Sequence, residues 1–203
     1  MRTRRRTVIA DAYQLWRQVL RKLIEGFGSY CVVGEASDGR TLLEHIETMK
    51  PEILVTEVAL PTLDGIRALR QLADTTPGLR VLILSEIEDP EVVCEAFAAG
   101  AMGYVSKSEN VIVLRRALGA ISRGFSFLSP RVAGMILKQI GGGRGRGKPV
   151  PLIELELLRL VAKGCSDRTI ASALGVGREA VNYYRLDLLR RLPQMSFASG
   201  HFA

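Results

Sequence analysis

The residue whose type and place could do chemistry is Glu57. In the stretch PEILVTEVALPTLDG, residues 51–65, the apolar run Ile53-Leu54-Val55 leads to this acid, and Pro61 follows four residues later. Parallel sheets present ligands at the carboxyl ends of their strands, so Glu57 is expected to point into a crevice. Other reactive side chains are sparse. The two histidines, His45 and His201, have no ligand-like neighbours. The three cysteines, Cys31, Cys94 and Cys165, are odd in number, widely separated and match no metal spacing. They read as small buried apolar residues of a reduced, cytoplasmic protein. No metal site, no cofactor and no enzymatic activity are expected.

Charge separates the chain into two parts. Residues 1–128 carry 16 Lys+Arg and 16 Asp+Glu, whereas residues 129–203 carry 12 basic and 5 acidic residues. The whole excess of +7 lies in the C-terminal third. A basic small domain is the electrostatic footprint of a nucleic-acid binder. The basic start MRTRRR reads as a solvated tail. It is followed by only Val8-Ile9-Ala10 before Asp11, too short for a signal-peptide apolar region. No apolar run is long enough to span a membrane.

The elements that must position Glu57 alternate strand and helix. Strands are expected at Thr7–Ala10, Tyr30–Glu35, Ile53–Thr56, Val81–Leu84 and Gly103–Val105. Between them, Leu15, Val19, Leu20, Leu23 and Ile24 recur at helical spacing, and Thr41–Met49 forms a second helix. Asp64 caps a third helix, Pro90 opens a fourth that ends at Gly100, and Glu109–Ser122 forms a fifth. Five such units predict a doubly wound five-stranded parallel sheet. A further helix over Pro130–Ile140 leads into GGGRGRGKP, residues 141–149, which reads as a flexible, solvated linker. From Leu152 onward the pattern is helical. The expected organisation is therefore residues 1–128, a helix and linker over 129–149, and a smaller all-α domain over 150–203.

The segments ALPTLDG and AFAAGAMGYVSK, set in this β-α repeat, resemble the flavodoxin-like receiver domain of bacterial response regulators over roughly residues 5–125. The resemblance aligns Glu57 with the family's phospho-accepting aspartate, Ser85 with its small hydroxyl residue, and Tyr104 and Lys107 with the aromatic and lysine of strand five. Two acids usually end strand one. Here the sequence is IADAY, so Asp11 remains and Ala12 occupies the second place. The family holds its phosphoryl group with Mg²⁺, which wants near-octahedral oxygen coordination. One of three carboxylates is gone, and Glu57 is a methylene longer, placing its oxygens about an ångström further out. In-line transfer is sensitive to such misplacement. The expectation is a degenerate acceptor pocket. Three readings of a Glu57–Lys107 pair stay open: imitation of the phosphorylated state, a fixed structural ion pair, or control by another ligand.

Residues 152–192 contain ELLRLVAKG, DRTIASALGV and EAVNYYRLDLLRRL. They resemble the four-helix, helix-turn-helix output domain of NarL/FixJ-type (LuxR-like) regulators. In that motif Gly175 permits the tight turn, Ile170 and Leu174 pack inward, and Val181, Leu188 and Leu189 face the same core. Glu179, Asn182, Tyr183, Arg185 and Leu186 are expected on or near the exposed side of the recognition helix. Helix-turn-helix domains place that helix in the major groove, with phosphate contacts positioning and base contacts specifying. Arg168, Arg178, Arg190 and Arg191 are candidate phosphate contacts. Asn182, Tyr183 and Arg185 are candidate base readers, Asn suiting adenine and Arg guanine.

The resemblance implies a two-component-type transcription regulator that binds double-stranded DNA and forms a homodimer; the departures at Glu57 and Ala12 lead to the expectation that it is controlled by dimerisation, a partner regulator or a ligand rather than by phosphotransfer. Two alternatives stand beside it. One is a conventional regulator phosphorylated on Glu57 or Ser85. The other is an interaction protein that sequesters another regulator in mixed dimers.

Overall fold

The computed structural model describes residues 3–142 and 150–191. Most of the Gly/Arg linker (143–149), the tail 192–203 and His201 with it lie outside the described residues. The N-terminal part alternates β1 (Arg5–Ala10), α1 (Gln14–Gly26), β2 (Tyr30–Ala36), α2 (Gly39–Met49), β3 (Ile53–Thr56), α3 (Gly65–Thr75), β4 (Arg80–Ser85), α4 (Pro90–Ala98), β5 (Gly103–Ser106) and α5 (Val111–Ile121). These strands are parallel in the order β2-β1-β3-β4-β5, with a sixth, β6 (Phe127–Leu128), beside β5. The sheet thus has six strands rather than five. A two-residue strand carries no alternation or run long enough to register as one in sequence.

Helices on both faces bury the sheet, and for that reason the strands read as continuous apolar runs. Ile9, Val55, Leu82 and Val105 pack with Leu20 and Ile24 of α1 and with Val113, Leu114 and Leu118 of α5. Val8, Leu54 and Ile83 face the other way, onto Leu42 and Ile46 of α2, Leu69 of α3 and Val93 of α4. Leu15, expected on the buried stripe of α1, lies in that helix's first turn and is 73% exposed. Asp38 and Asp64 cap α2 and α3 by accepting from the Thr41 and Arg67 amides. The fifth helix starts at Val111, not Glu109. Asn110 caps it, while Glu109 accepts from the Arg131 amide. Cys94 is buried, and burial pushes its thiol up to about 12. Cys31 and Cys165 are only partly buried, contrary to expectation.

Next come α6 (Pro130–Gly142), α7 (Leu152–Ala162), α8 (Asp167–Leu174) and α9 (Arg178–Arg191). Val132, Ala133 and Ile136 of α6 are fully buried, and α6 packs on α7. The core on the α2–α4 side therefore runs on without a break into Leu157, Leu158, Ile170, Val181, Leu188 and Leu189 of the C-terminal helices.

Candidate functional site

Four strand ends converge on the pocket. Ala10 of β1 pairs with Thr56 of β3, so Asp11 and Glu57 emerge side by side. The Glu57 amide donates to the Ala10 carbonyl (2.9 Å), and the Lys107 amide donates to the Ser85 carbonyl (2.9 Å). These backbone links bring the lysine across to the acids. Lys107 Nζ lies 2.6 Å from Asp11 Oδ2 and 2.7 Å from Glu57 Oε2. All three side chains are at most 8% exposed. The second oxygen of each acid turns to backbone. Asp11 Oδ1 accepts from the Tyr13 amide (2.9 Å), and Glu57 Oε1 accepts from the Val58 (2.6 Å) and Ala59 (3.4 Å) amides. The indole of Trp16 adds a face 5.4 Å from Nζ, within cation–π range. Burial alone pulls the Lys107 ammonium down, but the bonds and charges of Asp11 and Glu57 outweigh it and raise its pKa.

The other expected pocket residues sit nearby with partners of their own. Ser85 is fully buried, and its Oγ accepts from the Ile87 amide (3.1 Å). Tyr104 is fully buried and donates to the Ile87 carbonyl (2.6 Å). Burial, opposed by the Ser85 hydroxyl and supported by Glu57, raises the pKa of its phenol. Ala12 presents only a methyl, and its carbonyl accepts from Arg17 (3.2 Å). Gly65 closes the rear wall: a Cβ there would lie 2.3 Å from the Glu57 carbonyl oxygen.

The magnesium ion implied by the receiver fold does not fit these donors. A hard cation of that kind needs about six oxygens, several from carboxylates or waters. Here two carboxylates face the pocket and both already hold Lys107. Among the described residues, no three His, Cys, Asp or Glu side chains converge as a metal site.

The second expected site lies on α8 and α9. Ser166 caps α8 by accepting from the Thr169 amide, and Gly175 ends it at φ +65°, the left-handed conformation that the tight turn needs. Ile170, Val181, Leu188 and Leu189 are fully buried. Among the described residues this unit has three helices, α7 to α9, rather than four.

The polar side of α9 is not all open. Arg185 is 2% exposed. It donates to the Ser126 carbonyl (2.7 Å) and pairs with Asp167 (2.6 Å). Asn182 Oδ1 accepts from both the amide and the hydroxyl of Ser126 (2.6 Å each). The Arg178 guanidinium lies 5.3 Å from the Phe125 ring. From the receiver side, Arg116 donates to the Gly164 (3.1 Å) and Cys165 (3.0 Å) carbonyls. Asn182, Arg185 and Leu186, expected at the exposed side, are thus wholly or partly covered. Helical periodicity separates the core of the small domain from its outside but does not record that the receiver covers part of that outside.

Tyr183 is 64% exposed, edge-on to Tyr184, and Arg168 and Arg190 are exposed. Arg191 pairs with Asp187 (3.0 Å) and with Glu154. Burial raises the pKa of the Glu154 carboxyl against the pull of Arg191. Sequence reasoning missed Ser126, Asp167, Arg116, Phe125 and Trp16. Only Trp16, the single tryptophan, carries a compositional signal.

Three comparisons bear on this geometry. The response regulator receiver domain model matches residues 7–119. The transcriptional regulatory protein DegU of Brevibacillus brevis is 26% identical over 91% of this chain and 86% of its own length. The DNA-binding transcriptional activator DevR/DosR of Mycobacterium tuberculosis is 29% identical over the same shares. A solved structure of the Salmonella typhimurium response regulator RcsB, described for conformational dynamism in DNA interaction, superposes with a TM-score of 0.65. It is 25% identical and covers 94% of this chain and 93% of that one. A receiver-fold sheet, matched by its own family model and continued into helices that align with whole transcription regulators, places this chain in the response regulator family of two-component systems.

Proposed function

We propose that this chain is a DNA-binding transcription regulator whose receiver is governed without phosphotransfer. The observation that carries the reading is the Lys107 bridge, with Nζ at 2.6 Å from Asp11 and 2.7 Å from Glu57. The lysine supplies the positive charge that the two acids require. Magnesium would have to displace it and would gain no oxygen from the Ala12 side chain. DNA binding is supported by the α8–Gly175–α9 turn, the basic C-terminal third and relatives named as DNA-binding regulators.

Of the three readings of Glu57, the geometry favours a fixed ion pair. Both Glu57 oxygens are spent, one on Lys107 and one on the chain's own amides, and among the described residues neither hydrogen-bonds Ser85 or Tyr104. The controlling event is then release of α9 from Ser126 by a ligand, a partner regulator or dimerisation. A helix-turn-helix dimer reads paired half-sites once its recognition helix is free to enter the major groove.

The test is mass spectrometry of the intact chain after incubation with Mg²⁺ and acetyl phosphate. The native chain should stay unmodified. The double variant Ala12→Asp/Glu57→Asp, which restores the missing oxygen and the shorter acid, should gain one phosphoryl group. A stoichiometric adduct on the native chain overturns the reading. A salt-dependent shift of duplex DNA supports the DNA-binding half, because affinity built on phosphate neutralisation falls steeply with salt. Absence of any shift at low salt would favour the sequestering interaction protein.

A further inference from the structure

Six arginines line one cleft between the receiver and the helix-turn-helix unit. Arg5, Arg115, Arg116 and Arg123 come from the first, Arg168 and Arg178 from the second. The cleft has a volume of about 1390 Å³. Among the described residues it contains two acids, Glu52 and Asp167, and both are already engaged: Glu52 pairs with Arg5 (2.6 Å) and Asp167 with Arg185 (2.6 Å). Among the described residues Arg116 donates to neutral carbonyls, those of Gly164 and Cys165. Arg115, Arg123, Arg168 and Arg178 have no carboxylate within ion-pair distance among the described residues, and all four are exposed. Arg115 and Arg178 rest instead on aromatic rings, those of Phe27 and Phe125, at 5.8 Å and 5.3 Å.

Like charges gathered on facing walls raise the local potential and concentrate counter-ions between them. Guanidinium groups also match phosphate oxygens in a bidentate way that ammonium groups do not. The walls carry apolar rings as well, from Phe27 and Phe127, with Tyr30 beside them. We propose that this interdomain cleft is a binding site for a small polyphosphorylated anion of the nucleoside polyphosphate class. The ligand is held by arginines from both domains and clamps them together. Duplex DNA is the poorer occupant of the closed cleft, because it takes the recognition helix into its groove, and here α9 is tied to Ser126.

Binding rests on the cleft alone. Its consequence for DNA rests on the function proposed above: a ligand that bridges both walls stabilises the arrangement in which Asn182 and Arg185 are covered, and linkage then requires that it lower DNA affinity. Isothermal titration of the full chain without magnesium, using inorganic phosphate, tripolyphosphate and ATP, tests the first part. Tripolyphosphate or ATP should bind with one-to-one saturation and raise the thermal unfolding midpoint. Orthophosphate should bind at least tenfold more weakly. ATP exceeding tripolyphosphate would assign a role to the aromatic wall, and equal affinity would make the site one for phosphate chains alone.

Arg123→Gln and Arg168→Gln, one from each wall, should each weaken binding at least fivefold. Lack of saturable binding at low ionic strength overturns the site, and so does binding indifferent to both substitutions. A chain that binds duplex DNA but no small anion assigns these arginines to the DNA surface and also overturns it. Fluorescence anisotropy with labelled duplex then tests the second part. Ligand binding without loss of DNA affinity overturns the clamp while the site itself stands, and ligand binding by a chain that shifts no DNA overturns only the proposed function.

Discussion

Lys107 carries more of the pocket than either acid. Its ammonium is buried and shared between Asp11 and Glu57, so removing it leaves two carboxylates facing each other without a cation. Lys107→Met should therefore cost about 3–5 kcal/mol, the range for breaking a buried pair by deleting one partner. Glu57→Gln keeps the shape and leaves Lys107 its Asp11 partner, so it should cost only about 1–2 kcal/mol. Urea unfolding of the three chains checks the order. DNA affinity of Glu57→Gln should match the native value, since a fixed pair signals nothing; a fall would restore the phosphate-imitation reading.

The same residues set an alkaline limit. The folded-state pKa of Lys107 is raised, so its contribution is fully present below the ordinary lysine value of about 10.4 and is lost as pH rises through the folded value. Burial holds the Tyr104 phenol protonated in the same direction, from an ordinary value of about 10. The urea midpoint should be level across pH 8–9 with respect to these groups and fall above about pH 10. Tyr104→Phe should soften that fall.

At the scale of elements, the loop from β3 to α3 sets the position of Glu57. It contains Thr62 at φ +64°, a left-handed conformation that a β-branched residue adopts at a cost. It ends at Asp64, which caps α3, and at Gly65, which packs on the Glu57 carbonyl. Gly65→Ala would put a methyl into backbone that cannot retreat, and should destabilise by about 1–3 kcal/mol. Asp64→Ala should cost about 1 kcal/mol through loss of the cap. Thermal unfolding of the two variants separates the terms.

Much of this level was legible in the sequence. Ile53–Thr56 reads as a strand because four apolar or β-branched residues run together, and Asp64 reads as a cap because an apolar helical pattern follows it. β6 was not legible, because its two residues pair only through their placement beside Gly103 and Tyr104. Nor was the true start of α5, where Asn110 and Glu109 are adjacent and both chemically able to serve. The pocket residues Asp11, Glu57, Ser85 and Lys107 were legible as strand ends, whereas the direction of each oxygen was not. That direction depends on contacts between strands far apart in the chain.

For the whole molecule, the decisive contact is between α9 and the receiver. Arg185 and Asn182 carry the residue types of base readers, yet in this arrangement their polar atoms meet Ser126 and Asp167. Sequence pattern could not disclose this, because a polar helix face looks the same whether water, DNA or another domain lies against it. Ser126→Ala removes the hydroxyl donated to Asn182 and leaves the side chains of Asn182 and Arg185 themselves unaltered. With DNA entry requiring release of α9, the loss of about 0.5–1.5 kcal/mol of closure should raise DNA affinity up to about tenfold. Anisotropy titration with duplex measures it; unchanged or weaker binding would separate DNA entry from the opening of the domains.

Ser126 also immediately precedes the short strand β6, whose Leu128 pairs with Tyr104 on β5, and β5 runs directly into Lys107. One ladder therefore has the acid-bridging lysine near one end and the clasp on α9 near the other. A register slip of a single residue would carry Ser126 about 3.3 Å along the sheet. That travel exceeds the length of the 2.6 Å bonds to Asn182, so the two-residue ribbon holds the polar face of α9 in register, beside the grip of Arg116 on the Gly164 and Cys165 carbonyls.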